Sequence, residues 1–276
     1  PPPEERQVAA VPPAEEPPPP PIVEENVRMA PAPDPDLVLE SENGLLPIID
    51  GERQAWQVYS RPFSDSDQRP RIAILLTSLG LSQAATNAAI QQLPGSVTLG
   101  FTPYARNLNI WIQEARAAGH EVFLEIPMEP FDYPASDPGP HTLLTSLPFE
   151  NDAPTAPFDD NLTRLDWLLS RVTGYVGVTN LSGDKFTSST ESLTPVLESL
   201  RDRGLMFLDA HRSQTSVAAR VASEIELPRA LNNRFLDNEA SRVAIDARLF
   251  ELELIAKAEG FAVGIGLPYP VTLERV

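Results

Sequence analysis

The chain has 276 residues, a formal net charge of −18, 30 prolines and no cysteine. The missing cysteines exclude disulfides, thiolate metal centres and Cys nucleophiles. The negative charge argues against nucleic acid and against an anionic membrane surface, since phosphates would be repelled.

Residues 1–36 hold 13 of the 30 prolines and eight acids against two arginines. Proline runs favour an extended, solvated chain, and the carboxylates repel one another, so this stretch is expected to be a disordered Pro/acid-rich linker. It reads as a spacer, with a proline-rich docking peptide as the alternative. No segment approaches the ~18 apolar residues of a membrane helix. Because the sequence starts at Pro1, a signal or anchor is expected upstream. Residues 37–70 carry isolated apolar anchors (Leu45, Ile48, Ile49, Trp56, Tyr59) and are expected to form an extended lead-in that packs on the domain.

From residue 71 onward, short apolar runs alternate with amphipathic segments. "IAILL" (72–76) reads as a buried strand that breaks at Thr77-Ser78 and Gly80, before a helix opened by Ser82. "VTLGF" (97–101) precedes a helix opened near Asn107 and closed by Gly119. "EVFLEI" (121–126) follows. Residues 159–171 are helical by spacing, and 175–178 form a strand. A helix near 189–203 leads to "LMFL" (205–208). A helix near 215–225 and a weak strand near 229–232 come next. A long helix runs from Ser241 to Gly260, and "FAVGIG" (261–266) closes the series. Seven strand candidates alternating with helices predict a parallel α/β sheet, closed or open.

In either architecture, function sits where the strands end. Those ends supply Thr77 and Ser78, Tyr104, Glu125 and Glu129, Tyr133, Asn180, Asp209 and His211, Asp237, and Tyr269. The aromatics Tyr104, Phe131, Tyr133 and Tyr269 either stack on sugar rings or cover the mouth as ordinary packing. Of the three histidines, His120 lies at the opposite end of the sheet and reads as structural. His141 belongs to a loop. His211 follows Asp209 by two residues.

The blocks "ILLTSLGLS", "LPGSVTLGFTPYA", "AGHEVFLEIPMEP", "GYVGVTNLSGDKFT", "GLMFLDAHRS", "FLDN" and "GIGLPYPVTLERV" together resemble the divergent polysaccharide deacetylase family. This is a remote branch of the NodB-like carbohydrate esterases, and the likeness runs over residues 43–276. It implies a distorted (β/α)7 barrel over 71–276. It also implies a setting in the Gram-negative periplasm, often with an inner-membrane anchor, and a divalent metal such as zinc held by aspartate and histidines. Carried over residue by residue, the ligands are not retained. The first strand of the family ends in Asp-Asp, and here Thr77-Ser78 stand there. The third-strand histidine is Glu125, the histidine after the fourth strand is Leu181, and the last-strand histidine is Leu267. Threonine and serine are poor neutral ligands for zinc and leucine is none, so no cofactor is expected.

Three functions remain open. The first is a non-catalytic envelope protein that binds glycan, such as peptidoglycan, or an envelope protein in the former substrate groove. Thr77, Ser78, Tyr104, Tyr133, Asn180, His211 and Tyr269 would line that groove. The second is an active carbohydrate deacetylase or related hydrolase with a rearranged centre, for which Asp209, Asp237, Glu125 and Glu129 are the catalytic candidates. His211, Asp209, Glu125 and Asp237 would then supply a rebuilt metal site. The third is an envelope scaffold that works through its tail.

Overall fold

The computed structural model describes residues 27–64, 66–146, 160–210 and 213–276, with the backbone of two short strands in between. After a 3-10 turn at Pro35–Leu37 come an antiparallel hairpin, β1 (Val38–Ser41) and β2 (Gly44–Pro47), and a short helix, α1 (Ala55–Val58). The repeating part begins with β3 (Arg71–Leu79), α2 (Gln83–Gln92), β4 (Thr98–Phe101), α3 (Leu108–Ala117) and β5 (Val122–Met128). A small hairpin, β6 (Phe149–Glu150) and β7 (Ala153–Pro154), precedes α4 (Asn161–Leu169) and β8 (Gly177–Ser182). Then follow α5 (Thr190–Asp202), β9 (Met206–Asp209), α6 (Ala218–Glu224), β10 (Arg229–Leu231), β11 (Arg234–Phe235), α7 (Arg242–Glu259), β12 (Phe261–Gly266) and α8 (Pro270–Arg275).

The main sheet has the order β10-β9-β8-β5-β4-β3-β12-β11, and every neighbouring pair is parallel. Such a sheet is buried on both faces, because each crossover lays a helix against it. The strands accordingly supply fully buried residues along their length, among them Leu76, Leu99, Leu124, Ile126, Val178, Phe207 and Ile265. Helix starts follow from local chemistry. Ser82, Asp160, Ser189 and Ser241 each accept a hydrogen bond from a backbone amide of the first turn.

Eight strands stand where seven are expected, because Asn232-Asn233 divide the sixth. Its first half pairs with β9 and its second with β12, at opposite edges of the sheet. The Asn232 amide donates to the Asp209 carbonyl at 3.0 Å and the Asn233 amide to the Val263 carbonyl at 2.9 Å. Two consecutive residues therefore reach both edges, which requires the sheet to curl. This curled parallel sheet is consistent with the expected NodB-like barrel.

Two expectations are corrected. β3 does not break at Thr77-Ser78. It bulges there, with the register shifting between Leu76 and Leu79, and ends at Leu79. Residues 27–36, expected in the linker, lie on the domain. The buried Arg116 donates to the carbonyls of Ala30 (2.7 Å), Gly174 (2.9 Å) and Tyr59 (3.1 Å), and the Asp34 amide donates to the Tyr59 hydroxyl. The expected linker over residues 1–26 lies outside the described residues. His120 is buried with its ring nitrogens against the carbonyls of Val97 (2.7 Å) and Ile90 (3.2 Å), tying the end of α2 to the entry of β4.

Candidate functional site

The C-terminal ends of the strands gather most of the buried polar groups of the domain. At the end of β3, the bulge turns Ser78 into left-handed backbone, φ +62°. Its amide then points across β4 and donates to Glu125 Oε1 at 2.6 Å. Glu125 lies on β5, opposite Thr179 of β8, and is only 1% exposed. A buried carboxylate requires such charge-assisted donors. Thr77 is buried beside it, and its hydroxyl donates to the Gly266 carbonyl at the end of β12, 3.3 Å away. Gly80 follows at φ +97°, where a Cβ would sit 2.3 Å from that of Ala105. The turn therefore accepts no side chain.

The other carboxylates are also bound. Asp237 Oδ2 accepts from the Leu267 amide and from the Thr272 hydroxyl, both at 2.7 Å. It thus joins the segment after β11 to the end of β12. Asp209, buried at the end of β9, accepts from the Ser216 hydroxyl at 2.7 Å. Asn180 accepts from the Ala210 amide at 2.8 Å and donates to the Ser182 carbonyl at 2.6 Å, fixing the ends of β8 and β9 together. Glu129 receives the Lys185 ammonium on one oxygen and the amide and hydroxyl of Thr145 on the other, each at 2.6 Å. Burial pushes the Glu129 carboxyl up. The Lys185 and Thr145 contacts outweigh that and hold it below the ordinary glutamate range.

The aromatics divide. Tyr104 is half-buried, and its hydroxyl donates to the Pro140 carbonyl. Burial, with Asp137 nearby, pushes that hydroxyl's pKa up, so it stays protonated. Tyr133 is half-buried in the loop after β5, while Phe131 and Tyr269 are exposed. His141 stacks on Trp167 with ring centroids 4.0 Å apart, and burial, with Arg164 and Arg171 nearby, pushes its pKa down. His211 lies outside the described residues, as does Arg212.

The resemblance implies metal ligands at five positions, which here are Thr77, Ser78, Glu125, Leu181 and Leu267. Thr77 and Ser78 bind backbone and Glu125, as above. Leu181 pairs with Pro127 across β8 and β5, and Leu267 is held by Asp237 through its amide. None of the five offers a nitrogen, and the one carboxylate among them is engaged by Ser78. This donor set does not fit a zinc centre. Among the described residues, no group of three His, Asp or Glu side chains is placed to hold a metal.

Sequence reasoning missed the groups that complete these contacts: Thr145, Ser216 and Thr272. Each is a plain hydroxyl in a loop or helix, 16, 7 and 35 residues from the carboxylate it serves. Only Ser216 is near enough in the chain to be proposed by proximity.

A crystal structure of an uncharacterized protein from Agrobacterium tumefaciens C58 superposes with a TM-score of 0.77 at 36% identity, covering 84% of this chain and 91% of that one. An uncharacterized protein of Haemophilus influenzae is 26% identical over 214 residues, 76% of this chain and 71% of its own length. The uncharacterized protein YibQ of Escherichia coli K12 is 23% identical over 206 residues, 74% of this chain and 60% of its own length. The divergent polysaccharide deacetylase profile matches residues 74–276, which include every strand end described above from β3 onward. The chain belongs to the divergent polysaccharide deacetylase family.

Proposed function

We propose that this chain is a cell-envelope member of its family that binds a glycan in the former substrate groove without metal-dependent deacetylation. The observation that carries the proposal is the bond from the Ser78 amide to Glu125. It occupies the carboxylate that replaces a family ligand, at a strand end where the family's aspartates are replaced by Thr77 and Ser78. Metal-dependent amide hydrolysis needs a cation that polarises the carbonyl and generates hydroxide at neutral pH. The residues present supply no nitrogen set for it. Asp209, Asp237 and Glu129, the remaining candidates for acid–base work, each hold neighbouring loops by hydrogen bonds, which favours a structural role for them.

What stays suited to a ligand is a polar mouth with exposed Phe131 and Tyr269. Apolar sugar faces stack on such rings. The family resemblance supports a periplasmic location and peptidoglycan as the glycan. No helix among the described residues is long and apolar enough to cross a membrane.

The test is twofold. Purified protein is incubated with acetylated chitooligosaccharides and zinc, manganese or cobalt, and released acetate is measured. In parallel it is sedimented with purified peptidoglycan. Sedimentation without acetate release supports the proposal. Acetate release that stops with chelator, or with Asp209→Asn and Asp237→Asn, restores the hydrolase reading.

A further inference from the structure

A second cleft lies at the rim of the sheet and shares Gly80 and Tyr104 with the strand-end site described above. It opens where β3 and β4 pass into α2 and α3. Leu81, Gln83, Tyr104, Arg106, Asn107 and Trp111 line it, and its volume is about 360 Å³, within the range of small-molecule sites.

Three properties distinguish this cleft from an incidental gap. Part of its wall is apolar surface that the fold leaves exposed. Leu81 is 70% exposed, and Trp111 packs only partly against the core. Its shape is fixed. Tyr104 is held by the Pro140 carbonyl, and Gly139 presses so closely that a Cβ there would come within 2.6 Å of the Tyr104 ring. Two of its polar side chains, Arg106 and Asn107, are uncommitted among the described residues. Asn107 sits in left-handed backbone with no side-chain bond to the helix it opens. Arg106 is exposed, and among the described residues no ion pair or hydrogen bond to it is found. Arg106 shares the lining of the cleft with Tyr104 and Trp111.

We propose that this cleft binds a pyranose unit bearing a carboxylate, with the sugar ring against Trp111 and Leu81 and the carboxylate on Arg106. The C–H face of a pyranose matches an aromatic or aliphatic wall. The amides of Gln83 and Asn107 match its hydroxyls or an acetamido group. The guanidinium fork matches a carboxylate in two-point geometry, which a neutral sugar does not offer. This inference rests on the glycan-binding reading above and adds the acidic sugar as the unit recognised.

The test follows the assigned backbone amide signals and the three tryptophan indole N–H signals in the NMR spectrum of the intact chain, with the Trp111 indole assigned from Trp111→Phe. The probes are N-acetylmuramic acid and methyl glucuronide, each against its neutral counterpart, N-acetylglucosamine and methyl glucoside. The acids are expected to shift the Trp111 signal saturably and to bind roughly tenfold tighter than the neutral sugars, the worth of one charge-assisted contact. Arg106→Gln, an exposed and conservative change, should erase that preference while the spectrum stays dispersed. Equal binding of acids and neutral sugars at Trp111 overturns the inference. So does movement of signals near Ser78, Asn180 and Tyr269 with Trp111 unmoved, although the groove reading then stands. If no sugar moves any signal, both readings are overturned.

Discussion

The amide of Ser78 and the carboxylate of Glu125 meet at 2.6 Å across the width of an intervening strand. The contact needs the left-handed backbone of Ser78, and that conformation needs the bulge in β3. Removing the acceptor leaves the Ser78 amide without its partner at a part-buried strand end. Glu125→Ala is expected to cost about 1–3 kcal/mol of unfolding free energy, measured by urea denaturation. Glu125→Gln, which keeps a carbonyl acceptor, should cost less. Equal losses in the two variants would show that the bond is not what stabilises this strand end.

Glu129 gives a pH prediction. Its carboxyl titrates below the ordinary range when folded. Its contribution is therefore present above the unfolded value, about 4.3, and is lost as the pH falls through the lower folded value. Lys185→Met should raise the folded value and move that loss to higher pH. Because the Lys185 side chain is 40% exposed, the stability cost at pH 7 should be roughly 1–2 kcal/mol, short of that for a fully buried pair. Unfolding curves of both proteins between pH 3 and 7 provide the check, and parallel curves would refute the assignment.

Asp237 joins two segments through one oxygen that accepts two bonds. Asp237→Ala should destabilise by about 2–4 kcal/mol, since each donor loses a charged acceptor. Thr272→Val removes one donor only and should cost about half as much. Thermal denaturation of the two variants and their combination would measure the coupling, and strict additivity would argue against a shared contact.

Arg116 is buried and bonded to three carbonyls, one of them in the lead-in at Ala30. Arg116→Met keeps much of the apolar stem but removes the donors. Cleavage by a nonspecific protease within residues 27–33 should become faster, with the domain from residue 71 still protected. Unchanged cleavage there would mean that other contacts hold the segment.

Much of this fold is legible in the sequence, because it rests on local signals. Ser82, Ser189 and Ser241 mark helix starts through their own side chains, and the apolar runs mark six of the strands within a few residues. The bulge at Ser78 is not legible. Serine rarely adopts positive φ, and the Glu125 carboxylate that its amide meets lies 47 residues away. The division at Asn232-Asn233 depends on both sheet edges arriving at one place, which no local window contains. Lys185 shows the same limit in the site: its partner Glu129 lies 56 residues earlier. The packing of residues 27–36 was hidden by their prolines, which suggest a solvated chain until Arg116 supplies the bonds.

The proposal that the strand ends form no metal centre is checked by elemental analysis of protein purified without chelator, then dialysed against zinc, manganese or cobalt and washed. The residues placed here predict no stoichiometric metal under any of the three conditions. One tightly held ion per chain, lost on Glu125→Ala or Asp209→Ala, would contradict it.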